Sequence, residues 1–449
     1  MPEFVDLEVR RPLPTPMAWP LIAPKVLQRH PKPPKHGTIC ESPESIAAAP
    51  VVLTPAELAF RMASVGYGAY AHYGVTWLLS GKPLTASEVV DLRRLTAARL
   101  SVVHRAYRMA PGMTAAGMPT VDLVQRSIYP LIESTERGSV SFVLGCAMAE
   151  VCAPNALNTR PGFTAAKLWH LFHVNLIQAA STCATVLKVD MTTRQKTDFV
   201  GIDSALGTLH IFEAKGSGDG FDGSRVSDGL SQCEAVEGIR VMGGALEQPA
   251  SLNVCVSYLH GGRVCSAVYQ LTGARSASSA PGSPTATPAP PNKSEVTSAL
   301  ELLLGTKLMG TYLMLRGADV EQTVGRWTVF DIASQAGEGA EAIRVALPSA
   351  LWTQLGDFWE RAEQAMASVG DYVKLRYKLT SVSVTDAWPE RRSVLKDRLS
   401  GLGKSMLQLL ETDLQQDGVR ASEDELPEDF ELSGVEPWLA FERALSAGT

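Results

Sequence analysis

The chain has 449 residues, enough for two or three domains, and its 45% hydrophobic and 20% charged composition excludes disorder of the whole. A formal net charge of −6 excludes a protein that coats nucleic acid through a uniformly basic surface, but not an enzyme whose positive potential is confined to a cleft. Seven cysteines without a CxxC pair argue against a structural zinc site and suit reduced thiols in the cytoplasm, while no apolar run reaches the roughly 18 residues of a membrane span and no secretory signal is visible.

Residues 1–50 are rich in proline, densest at Pro31-Lys32-Pro33-Pro34-Lys35, and are read as an extended arm. Residues 51–130 are expected to be helical. Capping boxes stand at Thr54-Pro55-Ala56-Glu57 and Thr85-Ala86-Ser87-Glu88, and the run from Ala86 to Met109 has helical spacing interleaved with Arg93, Arg94, Arg99 and Arg105. Further helices are expected over Glu133–Ala153 and Thr164–Thr182. The period then switches to short β-rich runs: Ala184–Met191, Thr197–Asp203, Thr208–Lys215, Leu252–Leu259 and Arg263–Leu271, with a helix over Arg225–Gly238 between the third and fourth. Residues 273–293 are a low-complexity linker. Residues 294–449 form an α+β domain, with helices near Ser294–Leu304 (extending toward Arg316), Leu351–Met366 and Glu390–Leu414. Its expected strands are Trp327–Ile332, Ala342–Ala346 and Tyr372–Leu379. The acidic run Glu423, Asp424, Glu425, Glu428, Asp429, Glu431 and Glu436 is read as a solvated tail, with competition for a basic cleft as the second reading.

The residues that point to chemistry lie between Lys196 and Gly216. Two strands flank a turn at Ser204–Gly207. If the hairpin is symmetric, Asp203 opposes Thr208 and Asp198 opposes Glu213, which puts the two carboxylates on one face with Cβ atoms about 4.5–5.5 Å apart. Lys215, two residues beyond Glu213, falls on the same face. Asp203, an odd number of positions from Asp198, does not. Two carboxylates and an ammonium so placed suit Mg²⁺- or Mn²⁺-assisted phosphodiester hydrolysis, with the backbone carbonyl of Ala214 as an extra ligand. Gly216–Gly223 lacks the residues of a phosphate-binding loop and is read as a rim of the cleft. His170 and His173, one helical turn apart, are read as core histidines rather than zinc ligands.

Asp198, the Glu213-Ala214-Lys215 strand after a hairpin and the helix that follows resemble the PD-(D/E)xK signature of restriction-endonuclease-like nucleases, with Thr197 where that signature has proline. The resemblance covers residues 131–272. It implies an α/β fold with a mixed sheet flanked by helices, embedded between the helical region and the C-terminal domain, and it implies cleavage of DNA. On it, Asp198 and Glu213 bind metal and Lys215 acts on the attacking water. Gln232 on the following helix and Glu136 on a preceding helix, with Glu150 behind it, complete the catalytic set, and Arg225 binds substrate. It further implies an effector of bacterial restriction or anti-phage defence, restrained by a regulatory protein partner or by homo-oligomerisation. The alternatives are a ribonuclease and an inactive scaffold that binds nucleic acid or protein.

Overall fold

The computed structural model describes residues 17–19, 21–28, 51–53, 91, 106–113, 119–157, 169–174, 177, 186–194, 196–204, 206–272, 292–316, 321–325, 327–331, 344–361, 364, 388–415, 430–432 and 440–442. The architecture is mixed α/β. In chain order the elements begin with β1 (Met17–Trp19), β2 (Leu21–Gln28), β3 (Val51–Leu53), β4 (Tyr107–Met113), β5 (Pro119–Gln125), α1 (Ser134–Leu157), β6 (Trp169–His173), β7 (Leu187–Met191), β8 (Phe199–Asp203) and β9 (Thr208–Gly216). They continue with α2 (Gly223–Glu234), β10 (Val236–Val241), β11 (Leu246–Glu247), β12 (Ser251–His260), β13 (Arg263–Thr272) and α3 (Lys293–Leu315). After these come β14 (Glu321–Val324), β15 (Trp327–Asp331), β16 (Arg344–Pro348), a helix α4 over residues 349–361, α5 (Trp388–Gln415), β17 (Phe430–Leu432) and β18 (Ala440–Glu442).

The main sheet runs β4-β5-β13-β12-β9-β8-β6, and β2 also pairs with β13. It is antiparallel except that β12 runs parallel to β9 and β2 parallel to β13. The parallel step follows from the connection: β9 leads into α2, which returns the chain so that β12 starts at the same end as β9. Smaller sheets are β11-β10-β7, β1-β3 and β14-β15-β16-β18-β17. The apolar residues of β8, β9 and β12, with those of α2, continue without a break into α3, α4 and α5, so that Ile202, Leu230, Leu300, Leu355 and Leu399 share one core. Among the described residues no helix is long and apolar enough to cross a membrane.

Helix α1 covers the opposite face of β9. It approaches closely because two glycines meet: a Cβ on Gly216 would lie 1.8 Å from the Ser141 carbonyl oxygen, and one on Gly145 would lie 2.9 Å from the Gly216 nitrogen. On the other face Gly229 lets α2 settle on β12 and β9, since a Cβ there would lie 2.6 Å from Val254 Cγ1 and 3.4 Å from Lys215 Cε.

Several sequence expectations are corrected. The helical region does not extend to residue 130. Ala106 is helical, but Tyr107–Met113 and Pro119–Gln125 form a hairpin, where Pro111 and Pro119 are poor interior helix residues and Val121 and Leu123 alternate with polar neighbours. The segment Trp169–His173, expected inside a helix, is strand β6 paired with β8; a five-residue aromatic and apolar run satisfies both periods, and the open edge of β8 decides. The helix expected to reach Gly238 stops at Glu234, and β-branched Val236, Ile239 and Val241 build β10 against β7. Within the acidic tail, Glu431 lies in β17 and pairs with Phe441, so this part of the run belongs to a sheet and not to a solvated tail. The expected strand Tyr372–Leu379, residues 273–291 of the low-complexity stretch and Arg93, Arg94, Arg99 and Arg105 lie outside the described residues, while Asn292 and Lys293, expected in the linker, cap and open α3.

Gly216→Ala is expected to cost about 1–3 kcal/mol, because the new methyl meets backbone and not a flexible side chain. Denaturant unfolding of the variant beside the wild type checks this. An unchanged midpoint would contradict the close approach of α1 to β9.

Candidate functional site

The β8-β9 hairpin has the register expected from its sequence. Asp203 pairs with Thr208, Ile202 with Leu209, Val200 with Ile211 and Phe199 with Phe212. Continuing one step, Asp198 meets Glu213: its backbone N–H donates to Glu213 Oε2 at 3.2 Å, and its Oδ2 accepts from the Ala214 N–H at 2.9 Å. Asp203, at the other end of the strand, accepts from the Leu206 N–H at 3.1 Å and takes no part in the site. Gly207 follows with φ of +66°, a left-handed conformation that glycine adopts without strain and that lets the turn close.

Lys215 Nζ lies 2.6 Å from Glu213 Oε1 and also donates to Gln232 Oε1. Gln232 comes from the last turn of α2, is nearly buried, and therefore fixes the ammonium between two acceptors. The groups line an open cleft of about 400 Å³ with Gly138 and Phe142 of α1, Lys196, and Arg225 of α2. The cleft exists because the β8 ladder ends at Phe199, which exposes the edge of β9 beyond Phe212.

Burial pushes both carboxyls up. Glu213 rises to about 8, first because it is desolvated and then because the Asp198 charge is beside it, while the Lys215 ammonium pulls in the opposite direction. Asp198 is raised mainly by burial, opposed by the Ala214 N–H and Lys215. Two carboxyls held at raised pKa beside a cleft are a costly arrangement that a bound cation relieves.

The donor set fits a hard divalent cation. Asp198 Oδ1 accepts no hydrogen bond among the described residues, and Asp198 and Glu213 both line the cleft. The N–H and C=O of one strand residue point to the same edge, so the Ala214 carbonyl is directed to the edge on which its N–H meets Asp198. Among the described residues no group of three or more His, Cys, Asp or Glu side chains gathers at one point. Two carboxylates and a carbonyl leave coordination positions to water and phosphate, as Mg²⁺ or Mn²⁺ requires, and do not make a closed zinc site.

The other expected residues are distributed as follows. Arg225 lines the cleft, donates to the Gly216 carbonyl at 2.5 Å and stands 3.5 Å from Asp222, whose side chain caps α2. Glu136 is exposed in the first turn of α1 and does not line the cleft. Gly138 and Phe142, four residues apart, share the cleft face, whereas Glu136 is roughly 200° around the helix from Gly138. Glu150 faces α3, with Lys307 at 3.9 Å, so neither of these glutamates joins the carboxylate pair. His170 and His173, being three apart on a strand, point to opposite faces of β6, which removes the zinc geometry; His173 packs edge-on against Phe199 with ring centroids 5.3 Å apart. Besides Gly138, which has no side chain, two cleft residues carried no role in the sequence reading. Lys196 precedes Asp198 by two positions, and strand alternation was its available signal. Phe142 gave none, because an aromatic at helical spacing reads as core.

Comparison of the chain with protein-family models, curated proteins and solved structures gives no match.

The raised carboxyls set a pH dependence with a definite sign. An acid whose pKa rises on folding contributes stability that is complete below its unfolded value and is lost as pH climbs through its folded value, here from 4.5 toward about 8 for Glu213. The melting temperature of EDTA-treated protein is therefore expected to fall between about pH 5 and about pH 8, and Glu213→Gln to flatten that fall. A wild-type profile as flat as that of the variant would contradict the buried carboxylate pair.

Proposed function

We propose that this chain is a metal-dependent nuclease of the PD-(D/E)xK type, with a restriction-endonuclease-like core, that hydrolyses DNA phosphodiesters. The observation that carries the reading is the opposition of Asp198 and Glu213 across one hairpin with the Lys215 ammonium 2.6 Å from Glu213, all three lining one open cleft. The chain order supports it as well: helix α1, then the site hairpin, then α2, then a strand parallel to β9.

In this reading Asp198, Glu213 and the Ala214 carbonyl hold Mg²⁺ or Mn²⁺. The bound ion would neutralise the scissile phosphate and acidify the attacking water. Lys215 orients that water and stabilises the charge that develops on phosphate oxygen, since its ammonium has a third proton beyond those given to Glu213 and Gln232. Gln232 is a positioning residue that acts through Lys215. Arg225, and Lys196 two residues before Asp198, supply positive charge for phosphates on either side of the scissile bond. Glu136 has no part in this scheme. An endonuclease effector of defence against phage, restrained by a protein partner or by self-association, is the setting proposed for this activity.

Purified protein with Mg²⁺ or Mn²⁺ is expected to cut DNA and to lose the activity in EDTA. Lys215→Ala should lower the rate by on the order of 100-fold or more, the loss typical of removing one charge-stabilising donor. Asp198→Ala should abolish Mn²⁺ binding measured by calorimetry. Supercoiled plasmid, linear duplex, single-stranded DNA and RNA tested side by side identify the substrate. Absence of Mn²⁺ binding by the wild type would sink the reading and leave a scaffold with a nuclease-like site.

A further inference from the structure

The rim loop between β9 and α2 carries two aspartates, and each meets an arginine. Asp222 is committed to the fold: its carboxylate accepts from the Ser224 N–H at 2.9 Å and so caps α2, with Arg225 at 3.5 Å. Asp219 has no such duty. Its side chain is 81% exposed, and the one hydrogen bond it makes among the described residues comes from Arg137 Nη1 on α1, at 3.4 Å.

Arg137 is under-satisfied in turn. A guanidinium carries five N–H donors in a planar fork, but here Nη1 makes one long contact and Nε is buried with no hydrogen-bond partner. The side chain is only 28% exposed, so part of its hydration is lost as well. A long ion pair with a solvated carboxylate contributes little, whereas a phosphate offers charge-assisted, bidentate acceptance. The position of Arg137 says which phosphate. It directly precedes Gly138, which lines the cleft, and the loop that carries Asp219 leaves the cleft at Gly216. Arg225 also lines the cleft and donates to the Gly216 carbonyl, so the two arginines hold this loop from its two sides.

Resting on the nuclease reading above, we propose that Arg137 is a substrate-binding residue for a DNA backbone phosphate beside the cleft, and that Asp219 occupies it as an internal stand-in until DNA displaces the carboxylate. The exchange leaves the loop in place, because backbone contacts anchor it: the Ser217 N–H donates to the Ser257 carbonyl at 2.7 Å, the Leu259 N–H to the Asp219 carbonyl at 2.9 Å, and Ser217 Oγ to the Gly220 carbonyl at 3.0 Å. Only the Asp219 side chain has to move.

The test is fluorescence anisotropy on the full chain in EDTA, with two DNA duplexes of unrelated sequence and a duplex RNA, over a range of salt concentrations. Arg137→Ala is expected to weaken DNA binding on the order of tenfold at about 50 mM salt and to make the slope of log affinity against log salt shallower by about 0.9, the counterion release of one phosphate contact. The loss should be the same on both DNA sequences, since a phosphate contact carries no sequence information. Arg137→Lys should keep the slope. Asp219→Asn should tighten binding, and by more in the wild-type background than in Arg137→Ala. An unchanged slope in Arg137→Ala would overturn the proposal, as would a slope change confined to RNA or no DNA binding by wild type at any salt. Equal tightening by Asp219→Asn in both backgrounds would also overturn it, because that is plain charge repulsion and not exchange. The two readings fail separately. Asp198-dependent Mn²⁺ binding with an unchanged slope in Arg137→Ala removes this contact and keeps the nuclease, while the slope change without Mn²⁺ binding keeps the contact and leaves a DNA-binding cleft that does not cut.

Discussion

The meeting of Asp198 and Glu213 at the open end of the β8-β9 hairpin is the constraint around which the rest of the site is arranged. Two carboxylates brought together in a largely dry environment repel each other and lose hydration, and each must be compensated or protonated. The structure supplies the compensation from several directions: the Ala214 N–H to Asp198, the Asp198 N–H and the Lys215 ammonium to Glu213, and Gln232 to hold the lysine in place. Apart from the Glu213–Lys215 pair, two residues apart on β9, none of these contacts is sequence-local in the way a helical ion pair is. Each depends on the hairpin register, on the end of the β8 ladder, or on the packing of α2.

The helices determine how open the site is. Gly216 and Gly145 allow α1 to lie against the end of β9, and this close approach brings the early turns of α1 to the mouth of the cleft. Gly229 does the corresponding work on the other face by leaving room for Val254 and for the Lys215 stem. The stem packs against helix backbone while its head reaches the carboxylates, so a long, otherwise mobile side chain is ordered before any substrate arrives. Support for α2 comes from further away, because its apolar residues join a core that runs on into α3 and α5. There, Gly305 and Gly403 permit a helix crossing in which an added Cβ would lie 1.9 Å from the Leu399 oxygen or 1.7 Å from the Glu301 oxygen. Residues remote in sequence from the hairpin thereby bear on its rigidity.

Much of the main sheet and the central triad could be read from the chain. The strands β8, β9, β12 and β13, the helices α1, α3 and α5 and the facing of Asp198, Glu213 and Lys215 follow from alternation, helical spacing and a four-residue turn, which are local properties with known periods. The errors fall where a short segment satisfies two periods or where a partner decides. Trp169–His173 is a strand because β8 has an edge to fill, and β10 exists because β7 lies beside it. Glu136 and Phe142 show the same limit for side chains. Both lie on one helix that the sequence predicts, but which of its faces meets the cleft is set by the contact of Gly145 with Gly216, and no spacing within the helix reveals it.

The amino-acid sequence by itself determined the register of the hairpin, and with it which carboxylates and which ammonium share a face, because strand alternation and turn length act over a few residues. Only the tertiary structure decided that Gln232 rather than Glu136 completes the group, that Lys196 and Phe142 border it, and that the edge of β9 is left open as a cleft. Those outcomes depend on the approach of helices and strands far apart in the chain, where the presence or absence of a single Cβ sets the distance.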